Sequence, residues 1–243
     1  MDMQTVIKEY EDGTYEGMMS SDGLRSGRGT MKYTNGDMYE GEWKDDKKHG
    51  HGRCMWYHDN SVYEGEFVDG VMKGRGKKYG KDYIYEGEFE DNNYDGNGTL
   101  TVYVDDKSGD KKESYMGQWK GGKKHGYGKH ITHMYHYKMF GSYRQYGMYE
   151  DNTVYEGMWT DDKKEGYGEL TIGDCGRIFY EEDWADYGTH HVVGRKYEGE
   201  WKDDKKHGYG KSTTPDGKIA THTYEQGRWK VLHTNNQDWC VIA

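Results

Sequence analysis

One short string recurs along this chain with its internal spacing held fixed, and that recurrence constrains the fold more than any other property. YEGEWKDDKKHGYG runs from Tyr197 to Gly210, and YEGEWKDDKKHGHG runs from Tyr39 to Gly52. The shared skeleton, Tyr-x-Gly followed by Gly-x-Gly, starts at Tyr15, Tyr39, Tyr63, Tyr85, Tyr115, Tyr155 and Tyr197, and Tyr224 opens a final half-unit. From the Tyr to the first Gly of Gly-x-Gly the offset is 11 in six units and one longer in the first. Successive Tyr stand 24, 24, 22, 30, 40, 42 and 27 residues apart, so the variation in length falls after the Gly-x-Gly half. A rigid unit with a tolerant connection specifies a repeat array, in which each unit packs on its neighbours.

Alternation along Tyr39 to Lys44 puts Tyr39, Gly41 and Trp43 on one face of an extended segment and Glu40, Glu42 and Lys44 on the other, which is strand periodicity. Asp45-Asp46-Lys47-Lys48 is the predicted loop, and Gly50 to Cys54 the predicted returning strand. Pairing Trp43 with Gly50 sets Gly41 opposite Gly52 and Tyr39 opposite Cys54, so that each ring meets a small partner. Tyr197, Gly199, Trp201, Gly208 and Gly210 repeat the pattern. Asn35-Gly36 marks a tight turn between hairpins. The expected fold is all-β, an elongated, twisted, single-layer antiparallel meander of stacked hairpins. Its parts are a lead-in at 1–13, an array of about eight to ten units at 14–230 with insertions at 129–153 and 171–195, and a tail at 231–243. Tyr180 to Trp184 keeps the Tyr and Trp of a unit with Glu182 at the Gly position, and the Tyr-rich stretch from Tyr137 to Tyr149 is a further candidate unit.

A mean hydropathy of -1.26 with 32% hydrophobic residues would ordinarily leave a chain disordered. Here 25 Tyr, 8 Trp and 4 Phe stand against 37 Gly, and a large ring lying over a glycine is covered without a second layer of side chains. The formal net charge of -10, with Lys interleaved among Asp and Glu, argues against nucleic-acid binding and against nonspecific attraction to anionic membranes. Cys54, Cys175 and Cys240 are odd in number and widely spaced, which fits neither a disulfide framework nor a zinc knuckle and suits a reducing compartment. The start of the chain lacks a basic, apolar leader, and no stretch reaches the length of a membrane span, so a cytoplasmic protein is expected.

The strings YEGEWKDDKKHGYG, YEGEFVDGVMKGRG, YEGEFEDNNYDGNG and YEGMWTDDKKEGYG closely resemble the MORN repeat, the membrane occupation and recognition nexus unit, from about Tyr15 to Trp229. The resemblance implies hairpins stacked into one twisted sheet. It also implies partners like those of the family: junctophilins that bridge membranes, radial spoke heads of cilia, budding scaffolds, and phosphoinositide kinases that carry the repeats beside a catalytic domain. Only repeats are present here. Departures from the pattern are Met116 and Gln118 in the fifth unit, Glu182, and the insertions.

Residues that could carry chemistry are few. No Gly-x-Gly extends to a dinucleotide fingerprint, and Gly121 to Tyr127 has Tyr where a phosphate loop needs Lys. Asp45-Asp46, Asp161-Asp162 and Asp203-Asp204 lack the oxygen-rich spacing of a calcium loop and read as solvated loop residues. His130, His133 and His136 have spacing suited to a metal on a helix, but in a strand they alternate between faces. No catalytic residue, cofactor or metal is expected, and the chain is not expected to be an enzyme. It ends Cys240-Val241-Ile242-Ala243, a C-a-a-X match that makes Cys240 a candidate for prenyl attachment, although the upstream HTNNQDW has no basic cluster. The expected function is a noncatalytic scaffold for other proteins of a cytoskeletal, ciliary or membrane-attached assembly. The alternative is a phospholipid-binding or prenyl-anchored tether, in which Lys47, Lys48, Lys123, Lys124, Lys163, Lys164, Lys205 and Lys206 face lipid.

Overall fold

The computed structural model describes residues 4–103, 111–140, 145–173 and 195–230. They fall into two compact units, Met1–His133 and Met134–Ala243. Among the described residues there is no helix, and so none long and apolar enough to cross a membrane.

The first unit contains β1 (Gln4–Tyr10), β2 (Gly13–Met19), β3 (Arg25–Tyr33), β4 (Met38–Lys44), β5 (Lys47–Trp56), β6 (Ser61–Val68), β7 (Val71–Tyr79), β8 (Tyr83–Glu90), β9 (Asn93–Tyr103), β10 (Lys111–Lys120) and β11 (Lys123–Phe140), which belongs to it as far as His133. Each strand pairs antiparallel with the next, in an open single-layer meander. The second unit contains β12 (Gln145–Thr160), β13 (Lys163–Ile172), β14 (Lys196–Lys202), β15 (Lys205–Thr213), β16 (Ile219–Glu225) and β17 (Arg228–Lys230), paired in the same way. The 1–13 segment, expected as a lead-in, supplies β1, in which Val6 pairs with Gly17. Of the Tyr137–Tyr149 stretch, Tyr137 to Phe140 end β11 and Gln145 to Tyr149 begin β12, and residues 141–144 lie outside the described residues. The degenerate unit at Tyr180–Trp184 lies outside the described residues.

The hairpin turns are tighter than the predicted four-residue loops. Asp45-Asp46, Asp69-Gly70, Asp91-Asn92, Gly121-Gly122, Asp161-Asp162 and Asp203-Asp204 each connect two strands with positive φ at both positions, 50° and 64° at the first pair. Two left-handed residues match the right-handed twist of the flanking strands, and Asp, Asn and Gly tolerate that region best. Both lysines of the DDKK string therefore stand in the returning strand. Of the hairpins formed within a repeat among the described residues, that of β2–β3 has the longer connection, with Ser20 N bonded to Leu24 O, which accounts for the one extra residue in the first repeat.

The core is a chain of rings on one face. In the first unit Tyr15, Trp43, Tyr39, Phe67, Tyr63, Phe89, Tyr85, Trp119 and Tyr115 contact one another in sequence, edge to face, with centroids 4.9 to 5.5 Å apart. In the second unit Trp159, Tyr155, Trp201, Tyr197 and Tyr224 continue the pattern within their own sheet. This is the geometry that ring quadrupoles favour. Tyr15, Tyr39, Tyr63 and Tyr85 have no exposed surface.

Candidate interaction surface

Glycines pair with glycines straight across the sheet. Gly17, Gly29, Gly41, Gly52, Gly65 and Gly76 stand opposite one another from β2 to β7, and the row runs on through Gly87, Gly98, Gly117 and Gly128. In the second unit Gly157, Gly168, Gly199 and Gly210 form the same ladder. A Cβ on Gly52 would stand 2.6 Å from Tyr39 Cε2 and Cζ, and one on Gly41 would stand 2.7 Å from Tyr39 Oη. Each Tyr ring thus lies flat over the pair of glycines beside it. Its hydroxyl reaches past them to donate to a carbonyl three residues on, 2.8 Å from Tyr39 to Glu42 O and 3.0 Å from Tyr63 to Glu66 O. Trp43, Trp119 and Trp201 donate their indole N–H to ladder carbonyls at 3.1 to 3.2 Å. Burial pushes the phenols up, Tyr15 and Tyr197 to about 12, with Tyr39, Tyr63 and Tyr85 also raised.

The register confirms the pairing of Tyr39 with Cys54 and of Gly41 with Gly52, but Trp43 stands opposite Lys48 instead of Gly50. A bulge after Gly41 inserts two residues into β5, and Gly50 pairs outward with Phe67 on β6. Gly50 has φ 58°, and a Cβ there would strike the Glu42 carboxylate, not a ring. Gly208 repeats this against Glu200. The carboxylate explains the bulge: Glu42, Glu66, Glu88 and Glu200 accept the N–H of the residue inside Gly-x-Gly at 3.0 to 3.3 Å, and the amide oxygen of Gln118 does the same for Tyr127 at 2.8 Å. The fourth letter of Y-E-G-E therefore holds the turn of its own hairpin, a role its alternation alone did not reveal.

The lysine pairs divide. Lys48 lies 4.9 Å from the Tyr39 centroid, Lys124 5.3 Å from Tyr115, Lys164 5.0 Å from Tyr155 and Lys206 4.3 Å from Tyr197, so the second lysine of each pair folds over the rings. Desolvation holds the Lys206 amine below its usual range. Tyr94 takes the same place in its unit and stacks on Tyr85 at 3.6 Å. Lys47, Lys123, Lys163 and Lys205 are exposed at the hairpin ends, with Lys163 paired to Asp203 at 2.7 Å. The eight lysines do not form one outward-facing set.

The paired Asp residues hold hairpin to hairpin. Asp46 Oδ1 accepts from Arg25 N at 2.8 Å and Nε at 3.1 Å, Asn92 Oδ1 from Met72 N at 2.9 Å, and Asp204 Oδ1 from Lys164 N at 2.9 Å. Backbone bonds from Asp46, Gly70, Asn92, Gly122 and Asp204 reach back in parallel to the preceding hairpin. Asp45, Asp161, Asp162, Asp203 and Asp204 are exposed in the turns, as read from the sequence, while Asp46, Asp203 and Asp204 also bond to the preceding hairpin. His130 Nε2 lies 3.3 Å from a Glu113 carboxylate oxygen, and among the described residues no group of three or more His, Cys, Asp or Glu side chains is placed to hold a metal ion. The side chain of His136 and all of Cys240 lie outside the described residues.

With one face closed by rings, the opposite face is left open. The glycine positions are directed at the rings, so on the opposite face they present backbone alone, which floors a groove running across the strands of the first unit. Walls rise on both sides from the neighbouring positions, Arg28, Glu42 and His51 on one and Glu40, Arg53 and Glu64 on the other. A continuation is lined by Arg75, Lys77, Glu86, Glu88 and Asn97. Arg53 pairs with Glu64 at 2.8 Å and Lys77 with Glu86 at 3.3 Å, exposed contacts that add little to stability and leave the groove lined with both signs of charge.

Within each unit, near-identical hairpins locked to their neighbours by ring contacts and turn staples define a repeat protein. The MORN repeat profile matches residues 15–38, 39–57, 63–83, 85–101, 115–131, 155–174 and 197–219, and the chain belongs to the MORN-repeat family. Repeats of this family mediate contacts with proteins or membrane lipid. Compared with curated proteins, the chain finds no match.

Proposed function

We propose that this protein is a noncatalytic scaffold in the cytoplasm, holding other proteins of a larger cytoskeletal, ciliary or membrane-attached assembly. The observation that carries this reading is the glycine-floored groove. It is open to solvent, spans several repeats and is walled by regularly spaced Arg, Lys and Glu, while the repeat tyrosines of the opposite face are buried. Regular charged rows on a rigid support recognise an extended partner by register and electrostatic complementarity. A tether to phospholipid or through a prenylated Cys240 is the alternative. It draws less support, because the second lysine of each pair sits over a ring instead of facing outward.

The test uses the full chain and a Glu40→Lys, Glu64→Lys variant. A defined set of proteins should be captured from cell extract by the wild type and lost by the variant, and the wild type should stay in the aqueous layer on flotation with anionic vesicles. An unchanged set of captured proteins, or flotation with the vesicles, would overturn the scaffold reading.

A further inference from the structure

The Gly-x-Gly half of each unit presents one side chain, x, on the groove face, and its chemistry changes along the chain. In the first unit x is Arg28, His51, Arg75 and Asn97 before Tyr127. In the second unit it is Tyr167 and Tyr209, which are 64% and 72% exposed. Tyr167 stands directly opposite Glu200 on β14, and the bulge brings Tyr209 against the same residue, with Tyr209 N donating to Glu200 Oε1 at 3.3 Å. Two exposed rings therefore flank one carboxylate.

The corresponding carboxylates of the first unit have cations of their own chain beside them. Glu42 stands opposite Arg28, and Glu88 opposite Arg75. Glu200 has a tyrosine in both places and forms no ion pair among the described residues. Of the lysines on this face, Lys196 and Lys211 approach Glu198 at 3.2 and 3.6 Å, and Lys202 stands two residues further along β14. Glu200 is thus left open to a cation supplied by a partner.

We infer that Tyr167, Glu200 and Tyr209 form a receptor for an arginine side chain on a basic segment of a partner protein. Two strand spacings separate the tyrosines, about 10 Å. A cation set midway over Glu200 would lie about 5 Å from each, inside the range of about 6 Å over which a ring face attracts it. Arginine fits better than lysine, because its flat, weakly hydrated guanidinium stacks on rings and meets a carboxylate edge-on. Met158, 42% exposed, takes the place that Glu42 fills in its own unit and gives apolar surface beside Tyr167 for the arginine stem. The net charge of -10 favours approach of a basic segment. This site rests on the scaffold reading in that its ligand is a protein segment, but it uses none of the first unit's groove residues.

The full chain is titrated into a fluorescein-labelled peptide of three Arg-Gly-Gly units and followed by anisotropy. Saturable binding is expected, weakened about fivefold by Tyr167→Ala or Tyr209→Ala and about twentyfold by both. Tyr→Phe at both positions should retain binding, since the ring and not the hydroxyl carries the contact. The Glu40→Lys, Glu64→Lys variant should bind the peptide like wild type, which separates this site from the groove. The inference is overturned if the peptide does not bind, if the double alanine variant binds equally well with an unchanged circular dichroism spectrum, or if a Lys-Gly-Gly peptide binds as tightly.

Discussion

Replacing Gly52 with alanine would put a methyl carbon into space held by the Tyr39 ring. The new Cβ would stand 2.6 Å from Cε2 and Cζ, where carbon atoms prefer about 3.5 to 4.0 Å, so ring or strand must move by about 1 Å. The ring has little room to give. It is fully buried, met edge-on by Trp43 and Phe67 at 5.1 Å each, and tied by its hydroxyl to Glu42 O at 2.8 Å. Overpacking of this kind costs about 1 to 3 kcal/mol, and a strained or lost hydroxyl bond adds about 1. Removing a glycine from the unfolded chain offsets about 0.4 to 1. The expected net loss is about 1 to 3 kcal/mol, measured by urea unfolding. A Tyr39→Ala background isolates the cause: without the ring, Gly52→Ala should be neutral or stabilising by about 0.5 kcal/mol. An equal cost in both backgrounds would refute the ring-over-glycine packing.

Other perturbations separate the remaining contacts. Gly50→Ala should also destabilise, by about 1 to 2 kcal/mol, through its φ of 58° and the Glu42 carboxylate, and here the cost should persist when Tyr39 is removed. Glu42→Gln should be nearly neutral while Glu42→Ala loses about 0.5 to 1.5 kcal/mol and speeds amide exchange at His51, because Gln118 already performs the same task. Asp46→Ala should cost about 1 to 2 kcal/mol, discounted for partial exposure, with Asp46→Asn retaining much of the bond to Arg25 N. Stability should hold up to about pH 10 and fall from there to about 12. The buried phenols have raised folded pKa values, with Tyr15 and Tyr197 at about 12, so the unfolded chain ionises first; urea midpoints between pH 8 and 12 read this directly.

Much of the fold was legible because a two-residue alternation and a fixed offset are direct signatures of a hairpin. The pairs Tyr39 with Cys54 and Gly41 with Gly52 followed from residue size alone. The misplaced partner of Trp43 has a specific cause: a two-residue bulge preserves the alternation of faces on both strands, so nothing in the pattern betrays it. The recurring Glu at 42, 66, 88 and 200, replaced in the fifth unit by Gln118, was the available clue, since Glu and Gln share an acceptor oxygen. Likewise DDKK read as a loop because all four residues are polar. Only the backbone reveals that two left-handed Asp make the turn, and that Lys48 bends back over Tyr39. The groove was not legible at all. It arises where backbone at the glycine rows of many distant segments lines up, and that depends on strand register across the first unit.

A sheet with one face sealed and the other open is tested most directly by timed nitration of tyrosine in the folded full chain, with modified sites mapped by peptide mass spectrometry. Tyr57, Tyr127, Tyr167 and Tyr209, 53% to 72% exposed, should react first, while Tyr15, Tyr39, Tyr63, Tyr85, Tyr115, Tyr155 and Tyr197, at most 3% exposed, remain unmodified until the chain unfolds. Modification of the repeat tyrosines at the rate of Tyr209 would contradict the closed ring face and the glycine ladder beneath it.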